Sequence, residues 1–264
     1  MIDRQALTKQ YGQYIDTDGV FIKTMDQLYH ADLYFEFQVT EFLTPDLSTI
    51  FEQIVRFQTD LKVVKWGVFS HPERVKLLFV PEFVEVPKME SYLTLLDIKY
   101  NQKFNQLEHK DALGALMALG IKRSKLGDIV VYDGGFQVVV EKGLSDYFLS
   151  SVDKIGRAGV SIQAISTTEA KEKVEKTKEV SGTVKSIRLD SIVALSFSIS
   201  RSESQKLIET DMVKVNHIVT SRADFVPKVQ DLISVRGYGR FTIQEILGVT
   251  KKDRIRIVLS LMAR

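Results

Sequence analysis

The 264 residues of this chain include 36 Lys and Arg against 34 Asp and Glu, and 44% are hydrophobic, as in an ordinary globular protein. We find no run of about 18 apolar residues that could span a bilayer, and the polar N-terminus lacks the apolar centre of a secretory signal. The absence of cysteine excludes disulfides, thiolate zinc sites and a cysteine nucleophile. We therefore expect a cytoplasmic protein with no membrane partner.

The net charge of +2 hides a difference between the two ends of the chain. Residues 181–264 hold 14 Lys and Arg against 8 Asp and Glu, whereas residues 1–180 hold 22 against 26. A basic C-terminal third favours contact with a polyanion such as a nucleic acid. On charge alone, an ordinary solvated surface stays open as the alternative.

The first segment, residues 1–87, is predicted to form a small α/β unit. Thr44 has the character of a helix cap, and apolar residues follow with helical spacing over 47–61. Residues 63–69 and 74–80 have the composition of strands. No recognisable chemistry accompanies these elements.

The second segment, residues 88–168, predicts the order β-α-β-β-α-β. A strand at 92–100 precedes a helix that stops at Gly120, and the hairpin at 128–141 turns at Asp133 and the glycines after it. The remaining elements are a helix over 144–155, capped by Ser145 and ended at Gly156, and a strand at 159–166.

RNA-recognition modules and many other proteins share this ferredoxin-like plan, so the plan alone does not indicate RNA binding. Such modules stack bases on several aromatic residues, whereas the third strand here offers only Phe136. We therefore expect the sheet to be a scaffold. The basic loop 121–127 suits a phosphate and solvent equally well.

Residues 169–181 are dense in charge and predict a connector or an exposed strand, followed by a domain over 182–264. The fold class is therefore α+β, with an α/β unit, an RRM-like middle domain and a C-terminal domain of helices and strands.

No catalytic or cofactor motif is found, and the four histidines, at 30, 71, 109 and 217, lack metal-ligand spacing. Glu108 and Asp111 suit the positive end of a helix dipole. We expect a binding protein, not an enzyme, with no cofactor and no metal.

The stretch 188–216 predicts two short helices and a strand. Apolar residues follow helical spacing over 189–197, and Ser200 with Glu203 has the spacing of a reciprocal capping box that opens a second helix. Arg201 falls in the first turn, where the helix dipole disfavours a cation, and this placement indicates an anionic partner such as a phosphate.

The order of residues in this stretch resembles the S-four (S4) RNA-binding domain. The matching residues are Arg188, Leu189, Asp190, Ser200, Arg201, Ser202, Leu207, Ile208, Val213, Lys214, Val215, Asn216, Asp231, Ile233, Arg236 and Gly237. Asp211, His217 and Gln230 stand where that pattern usually has glycine. An acid at position 211 would weaken a phosphate contact there.

The wider chain, with "TEFLTPDL", "ERVKLLFVPEF", "HKDALGALMALGIKRSKLGDIVV", "SIRLD" and "ISVRGYGRF", resembles the bacterial YlmH family. The resemblance implies a non-enzymatic RNA-binding protein with an RRM-like middle domain and a C-terminal S4 domain. It also implies an association with the large ribosomal subunit and peptidyl-tRNA in quality control of stalled translation, and a link to cell division.

From this resemblance we expect the C-terminal domain to grip structured RNA, ribosomal RNA first and tRNA second, through phosphate and shape. Asp190 is expected to orient an arginine. The residues expected to bind RNA are Arg188, Asp190, Ser200, Arg201, Lys206, Lys214, Asn216, Arg222, Arg236 and Arg240, with Lys251, Lys252, Arg254 and Arg256 as a possible extension of the surface.

Two other functions stay open at this point. One is an RNA-modifying enzyme of the pseudouridine-synthase kind, although those enzymes place the S4 module ahead of a large catalytic domain and only 82 residues follow Gly182 here. The other is a cell-division factor whose basic surface binds an acidic protein or a membrane.

Overall fold

The computed structural model describes residues 2–15, 18–103, 105–172 and 177–262. The chain forms two compact units, Met1–Lys173 and Val174–Arg264. Each unit combines helices with antiparallel sheets, so the predicted α+β class is confirmed. In the described ranges no helix is long and apolar enough to cross a membrane.

The first part of unit 1 is a three-stranded antiparallel sheet with helices packed on it. Its elements are α1 (Arg4–Gln10), α2 (Val20–Tyr34), β1 (Gln38–Val39), α3 (Pro45–Gln58), β2 (Lys62–Trp66) and β3 (Lys76–Val80). The strands lie in the order β1-β3-β2. Phe21, Met25 and Phe51 from the helices bury their side chains against Phe79 of β3. Thr44 is the N-cap of α3 as predicted. The helices α1 and α2 and the strand β1, which precede it, were not predicted.

The second part of unit 1 has the predicted βαββαβ order. Its elements are β4 (Leu93–Tyr100), α4 (His109–Ala118), β5 (Leu126–Tyr132), β6 (Gly135–Glu141), α5 (Ser145–Ser151), β7 (Lys154–Ile155) and β8 (Ala158–Ile165). The sheet order is β5-β6-β4-β8-β7. Gly134 has φ 98° in the predicted hairpin turn. Asp111 accepts a hydrogen bond from the Glu108 amide (2.8 Å), so these acids cap α4 as expected.

The second helix of this part is shorter than predicted. Ser145 is the first residue of α5, not its cap, and its hydroxyl donates to the Lys142 carbonyl (2.9 Å). The chain is already extended at Val152 (φ −107°, ψ 99°), and β7 then pairs with β8 around Gly156. The prediction was wrong because Val152 and Ile155 reach the core from extended backbone as well as they would from a helix.

The two faces of the β4–β8 sheet are both covered. Phe136 is fully buried on the face that packs against α4 and α5. On the other face, Leu95 and Val139 pack against Trp66 and Leu78 of the first part of unit 1. RNA-recognition modules use this second face for base stacking, so the expected scaffold role agrees with the packing.

The basic loop 121–127 contributes to the same packing. Arg123 donates from Nη1 to the Leu126 carbonyl (2.6 Å) and to the Gly127 carbonyl (3.0 Å). Lys125 forms ion pairs with Glu41 and Glu141, both at 3.0 Å. Arg123 and Lys125 therefore bind groups within unit 1. This geometry does not support the alternative that they bind a phosphate.

Unit 2 is a six-stranded antiparallel sheet with two helices on one face. Its elements are β9 (Thr177–Val184), α6 (Leu189–Phe197), α7 (Arg201–Glu209), β10 (Val213–Val215), β11 (Ile218–Val219), β12 (Leu232–Val235), β13 (Gly239–Val249) and β14 (Ile255–Met262). The order is β11-β10-β12-β13-β14-β9. Both predicted helices are confirmed.

The predicted connector 169–181 overlaps this sheet, because residues 177–181 belong to β9, while 173–176 lie outside the described residues. Pairing with β14 makes these residues part of unit 2. The finer division of the chain into 1–87, 88–168 and 182–264 stays a prediction.

Strand register separates two sets of side chains in unit 2. Val215, Ile233 and Phe241 are paired across β10, β12 and β13 and pack against α6 and α7. Because neighbours in a strand point to opposite faces, the adjacent row, Lys214, Ser234 and Arg240, lies on the helix-free face.

Candidate nucleic-acid interface

Four side chains at the start of α6 and α7 form a cluster that we call the arginine clamp: Arg188, Asp190, Arg201 and Gln205. Arg201 donates from Nε (3.0 Å) and Nη2 (2.9 Å) to Asp190 Oδ2. Arg188 donates from Nε to Oδ1 (3.3 Å) and from Nη2 to Oδ2 (3.4 Å) of Asp190. Gln205 Nε2 donates to the same Oδ2 at 3.0 Å. One carboxylate therefore fixes two guanidinium groups.

Burial and charge act in opposite directions on Asp190, whose side chain is 0% exposed. Burial raises the pKa of this carboxyl, but the hydrogen bonds from Arg188, Gln205 and Arg201 outweigh burial and lower the pKa below its usual value. Asp190 is therefore ionised at neutral pH and supplies a fixed negative charge.

Local sequence explains how the clamp is built. Asp190 lies in the first turn of α6, where the Leu189 amide donates to the Phe225 carbonyl (2.8 Å) and the Asp190 amide to the Ala223 carbonyl (3.2 Å). Arg201 and Gln205 are four residues apart on α7 and so share one helix face. Gln205 was not among the predicted residues, although this spacing from Arg201 could have indicated it.

The two arginines of the clamp remain accessible. Their side chains are 36% exposed at Arg188 and 52% exposed at Arg201. Both use Nε and Nη2 for Asp190, and across the ranges that the structure describes no hydrogen bond occupies Nη1 of either residue. The clamp therefore presents two oriented donors to solvent.

Ser200 is the N-cap of α7 as predicted, but the capping box is one-sided. Its hydroxyl accepts from the Glu203 amide (3.1 Å). Glu203 does not reach back to Ser200, because its Oε1 accepts the Tyr238 hydroxyl at 2.6 Å. The Tyr238 ring packs on Phe197, with ring centroids 5.5 Å apart. The hydroxyl of Ser200 is thus used as a helix cap, and Tyr238 ties the β12–β13 turn to α7.

Asn216 joins the end of β10 to the start of β12 through two side-chain hydrogen bonds. Its Nδ2 donates to Asp231 Oδ1 (2.8 Å), and its Oδ1 accepts from the Leu232 amide (2.9 Å). The expected hydrogen bond to RNA competes with these two contacts, so the geometry favours a positioning role for Asn216.

The three positions where the S4 pattern usually has glycine all have a left-handed backbone. Asp211 has φ 58°, His217 has φ 71° and Gln230 has φ 72°. Glycine adopts this conformation without steric cost, which explains the usual residue, and this chain adopts it with side chains present.

A second cationic cluster, which we call the basic groove, lies along β10, β12 and the start of β13. This groove of about 400 Å³ is lined by Asp211, Met212, Lys214, Ser234, Val235, Arg236, Gly237, Gly239 and Arg240. Three of the predicted RNA-binding residues therefore meet here. Arg201 of the clamp lies at the start of α7 and Asp211 of the groove follows its end, while Tyr238 in the β12–β13 turn contacts Glu203 in the first turn of the same helix.

The remaining predicted residues are dispersed. Lys206 is exposed on α7, and Arg222 pairs with Asp224 at 3.3 Å beside the clamp. Arg254 donates to Thr183, with Nη2 2.6 Å from the carbonyl oxygen and Nε 2.9 Å from the hydroxyl. The exposed cations around the β13–β14 turn are Lys251, Lys252, Arg254 and Arg256. In the described part of the chain, no group of three or more His, Asp and Glu side chains could hold a metal ion.

Two protein-family models match parts of this chain. The family described as "Putative RNA-binding domain in YlmH" matches residues 87–169, and the "S4 domain" matches residues 187–233. A relative from Bacillus subtilis (strain 168), named "Ribosome-associated protein quality control protein P2", is 30% identical over 223 residues. The alignment covers 84% of this chain and 86% of the relative. The chain belongs to the YlmH family.

The YlmH family resemblance stated from the sequence is thereby confirmed. The whole arginine clamp lies inside the matched S4 region, whereas Arg236 and Arg240 of the basic groove lie beyond its last residue, 233. A solved structure, "Cell division protein ylmH from Streptococcus pneumoniae", is similar over 56% of this chain and 91% of that chain, at 26% identity and a TM-score of 0.49.

Proposed function

We propose that this protein binds structured RNA on the large ribosomal subunit through the arginine clamp of unit 2, and that it acts in quality control of stalled translation in the cytoplasm. The observation that carries the proposal is the pair of half-exposed guanidinium groups held on one buried carboxylate. The matched families are RNA-binding domains, and the name of the Bacillus subtilis relative points to the ribosome.

Fixed guanidinium groups suit a phosphate backbone. Arginine presents a planar fork of donors that matches phosphate oxygens, and a fork that is already oriented loses less side-chain entropy on binding. Asp190 neutralises part of the positive charge of the clamp but holds Arg188 and Arg201 in place. Since phosphates carry no sequence information, the clamp is expected to recognise RNA shape and register.

The start of α7 adds to the attraction. The first turn of a helix carries partial positive charge and amides that have no partner within the helix. Arg201 lies in this turn, so a phosphate bound by its guanidinium lies near the positive end of the nine-residue helix. Lys206 and Arg222 are proposed as weaker, more distant contacts.

The arginine clamp does not have the geometry that an RNA-modifying enzyme of the pseudouridine-synthase kind would need. A pseudouridine synthase needs an aspartate that can attack a base, whereas the carboxylate of Asp190 is fully buried and accepts hydrogen bonds from two arginines and a glutamine. Contact with tRNA and a link to cell division stay predictions.

Salt-dependent binding to purified large-subunit ribosomal RNA tests the proposal. Arg201→Gln is expected to lower affinity, and the slope of log K against log salt should flatten by about 0.7 to 0.9 for one lost phosphate contact. Arg56→Gln serves as the matched control, because Arg56 is an exposed arginine of α3 in unit 1. Equal affinity and slope for wild type and Arg201→Gln would remove the proposal.

A further inference from the structure

The basic groove is a site separate from the arginine clamp. Arg201 occupies the first turn of α7 and Asp211 follows its last, and nine helical residues span about 14 Å. Register places Lys214 and Arg240 on the helix-free face of the sheet. The groove therefore presents Lys214 and Arg240 on the face of the sheet opposite α6 and α7.

The turn between β12 and β13 gives the groove a defined shape. The Arg236 amide donates to the Met212 carbonyl (2.9 Å), which joins the turn to the segment after α7. Tyr238 is held by Glu203 and Phe197 on the helix side. Gly237, with φ 88°, has no atom within 4 Å of where a Cβ would be, so its backbone is open to a ligand.

The charges of the groove favour an anion, with one exception. Lys214, Arg236 and Arg240 supply three positive charges, and Asp211 supplies one negative charge. Asp211 is exposed and has φ 58°, a conformation that requires no acid, since glycine and asparagine adopt it more readily. The negative charge at position 211 can therefore be removed without changing the conformation of the backbone.

We infer that the basic groove is a second phosphate-binding site for the RNA backbone and that the Asp211 carboxylate lowers its affinity. This inference rests on the proposed function and deepens it: the clamp supplies one set of phosphate contacts, the groove another, and Asp211 sets the strength of the second.

Removing the charge of Asp211 without changing its shape tests the inference. Asp211→Asn keeps a residue that tolerates left-handed backbone and is expected to tighten binding to purified large-subunit ribosomal RNA about threefold at low salt. Arg236→Gln is expected to weaken binding and to flatten the salt slope by about 0.7 to 0.9. Thermal unfolding of each variant checks that the fold is retained.

Asp60→Asn is the matched control, because Asp60 is also an exposed aspartate but lies between α3 and β2 in unit 1, outside the groove. Its RNA affinity should equal that of wild type. If Arg201→Gln weakens binding while Asp211→Asn and Arg236→Gln bind as wild type does, the inference about the groove is overturned and the proposed function stands. If the wild-type protein does not bind the RNA at all, the proposed function fails and the groove fails with it.

Discussion

At the scale of single residues, the buried carboxylate of Asp190 joins the start of α6 to α7. Removing its charge leaves Arg188 and Arg201 without the carboxylate that both of them bind. We expect Asp190→Asn to lower the free energy of unfolding of unit 2 by about 1 to 2 kcal/mol at pH 7, a value kept below that of a fully buried pair because the arginines are partly in solvent.

The pH dependence of this loss follows from the lowered pKa of Asp190. A carboxyl whose pKa is lower in the folded state stabilises the fold above its unfolded pKa, and this stabilisation disappears as the pH falls. The difference between wild type and Asp190→Asn should therefore shrink below the usual carboxyl value of 3.8. Hydrogen exchange of the α6–α7 peptides measures it, with the exposed Asp253→Asn as control; an equal difference at pH 7 and pH 3 would contradict the account.

Left-handed backbone at Gln230 gives a second residue-scale prediction. Gln230 has φ 72° with an exposed side chain, so Gln230→Gly should raise the free energy of unfolding by about 0.5 to 1 kcal/mol. The same substitution at Gln163, which is exposed within β8 and pairs regularly with Asp97 of β4, should have the opposite sign because glycine weakens a strand interior. Urea unfolding of both variants distinguishes the two effects, and a loss of stability in both would refute the role of φ at Gln230.

At the scale of elements, helices were easier to predict than the relations between strands. The apolar spacing of Leu189, Ile192 and Val193 allowed α6 to be predicted, and all three residues are fully buried. Local patterns do not determine which strands pair. The pairing of β10, β12 and β13 places Lys214 and Arg240 on one face, and the sequence does not show this pairing. The residues predicted as a single RNA-binding surface are therefore divided between the clamp and the groove.

The β5–β6 hairpin yields an element-scale prediction. A Cβ at Gly135 would lie against the Ile98 carbonyl oxygen of β4 and the Tyr132 ring, well inside van der Waals contact. Gly135→Ala is expected to cost about 2 to 3 kcal/mol, because the backbone of β4 cannot move without breaking its pairing. Gly143→Ala, with no atom within 4 Å of the new Cβ, should be nearly neutral. Similar unfolding midpoints for the two variants would contradict this packing.

At the scale of the whole molecule, contacts distant in sequence explain what periodicity could not show. The sheet of the RRM-like part is covered on its second face by Trp66 and Leu78, and ion pairs join Lys125 to Glu41 and Glu141. A sequence motif shows neither kind of contact. The family resemblance led to the proposed function of unit 2, whereas only the three-dimensional structure shows that both faces of the β4–β8 sheet of unit 1 are covered.

Acid should weaken unit 1 through Glu41. Burial raises the pKa of this carboxyl, but hydrogen bonds from Lys23 and Lys125 lower it to about 2. Its stabilisation is complete above the unfolded value of 4.5 and is lost as the pH falls towards 2, a change on the order of 3 kcal/mol. Urea unfolding followed by the fluorescence of Trp66 should show this loss in wild type and a flatter dependence in Glu41→Gln. The exposed Glu85→Gln, as control, should behave like wild type.

The central claim is that the arginine clamp holds this protein on the large ribosomal subunit. Co-sedimentation with purified large subunits of Bacillus subtilis tests the claim most directly, with wild type, Arg201→Glu and the unit 1 control Arg56→Glu compared at one salt concentration. We predict that wild type and Arg56→Glu are recovered with the subunit and that Arg201→Glu stays in the supernatant. Equal recovery of all three proteins in the subunit fraction would contradict the claim.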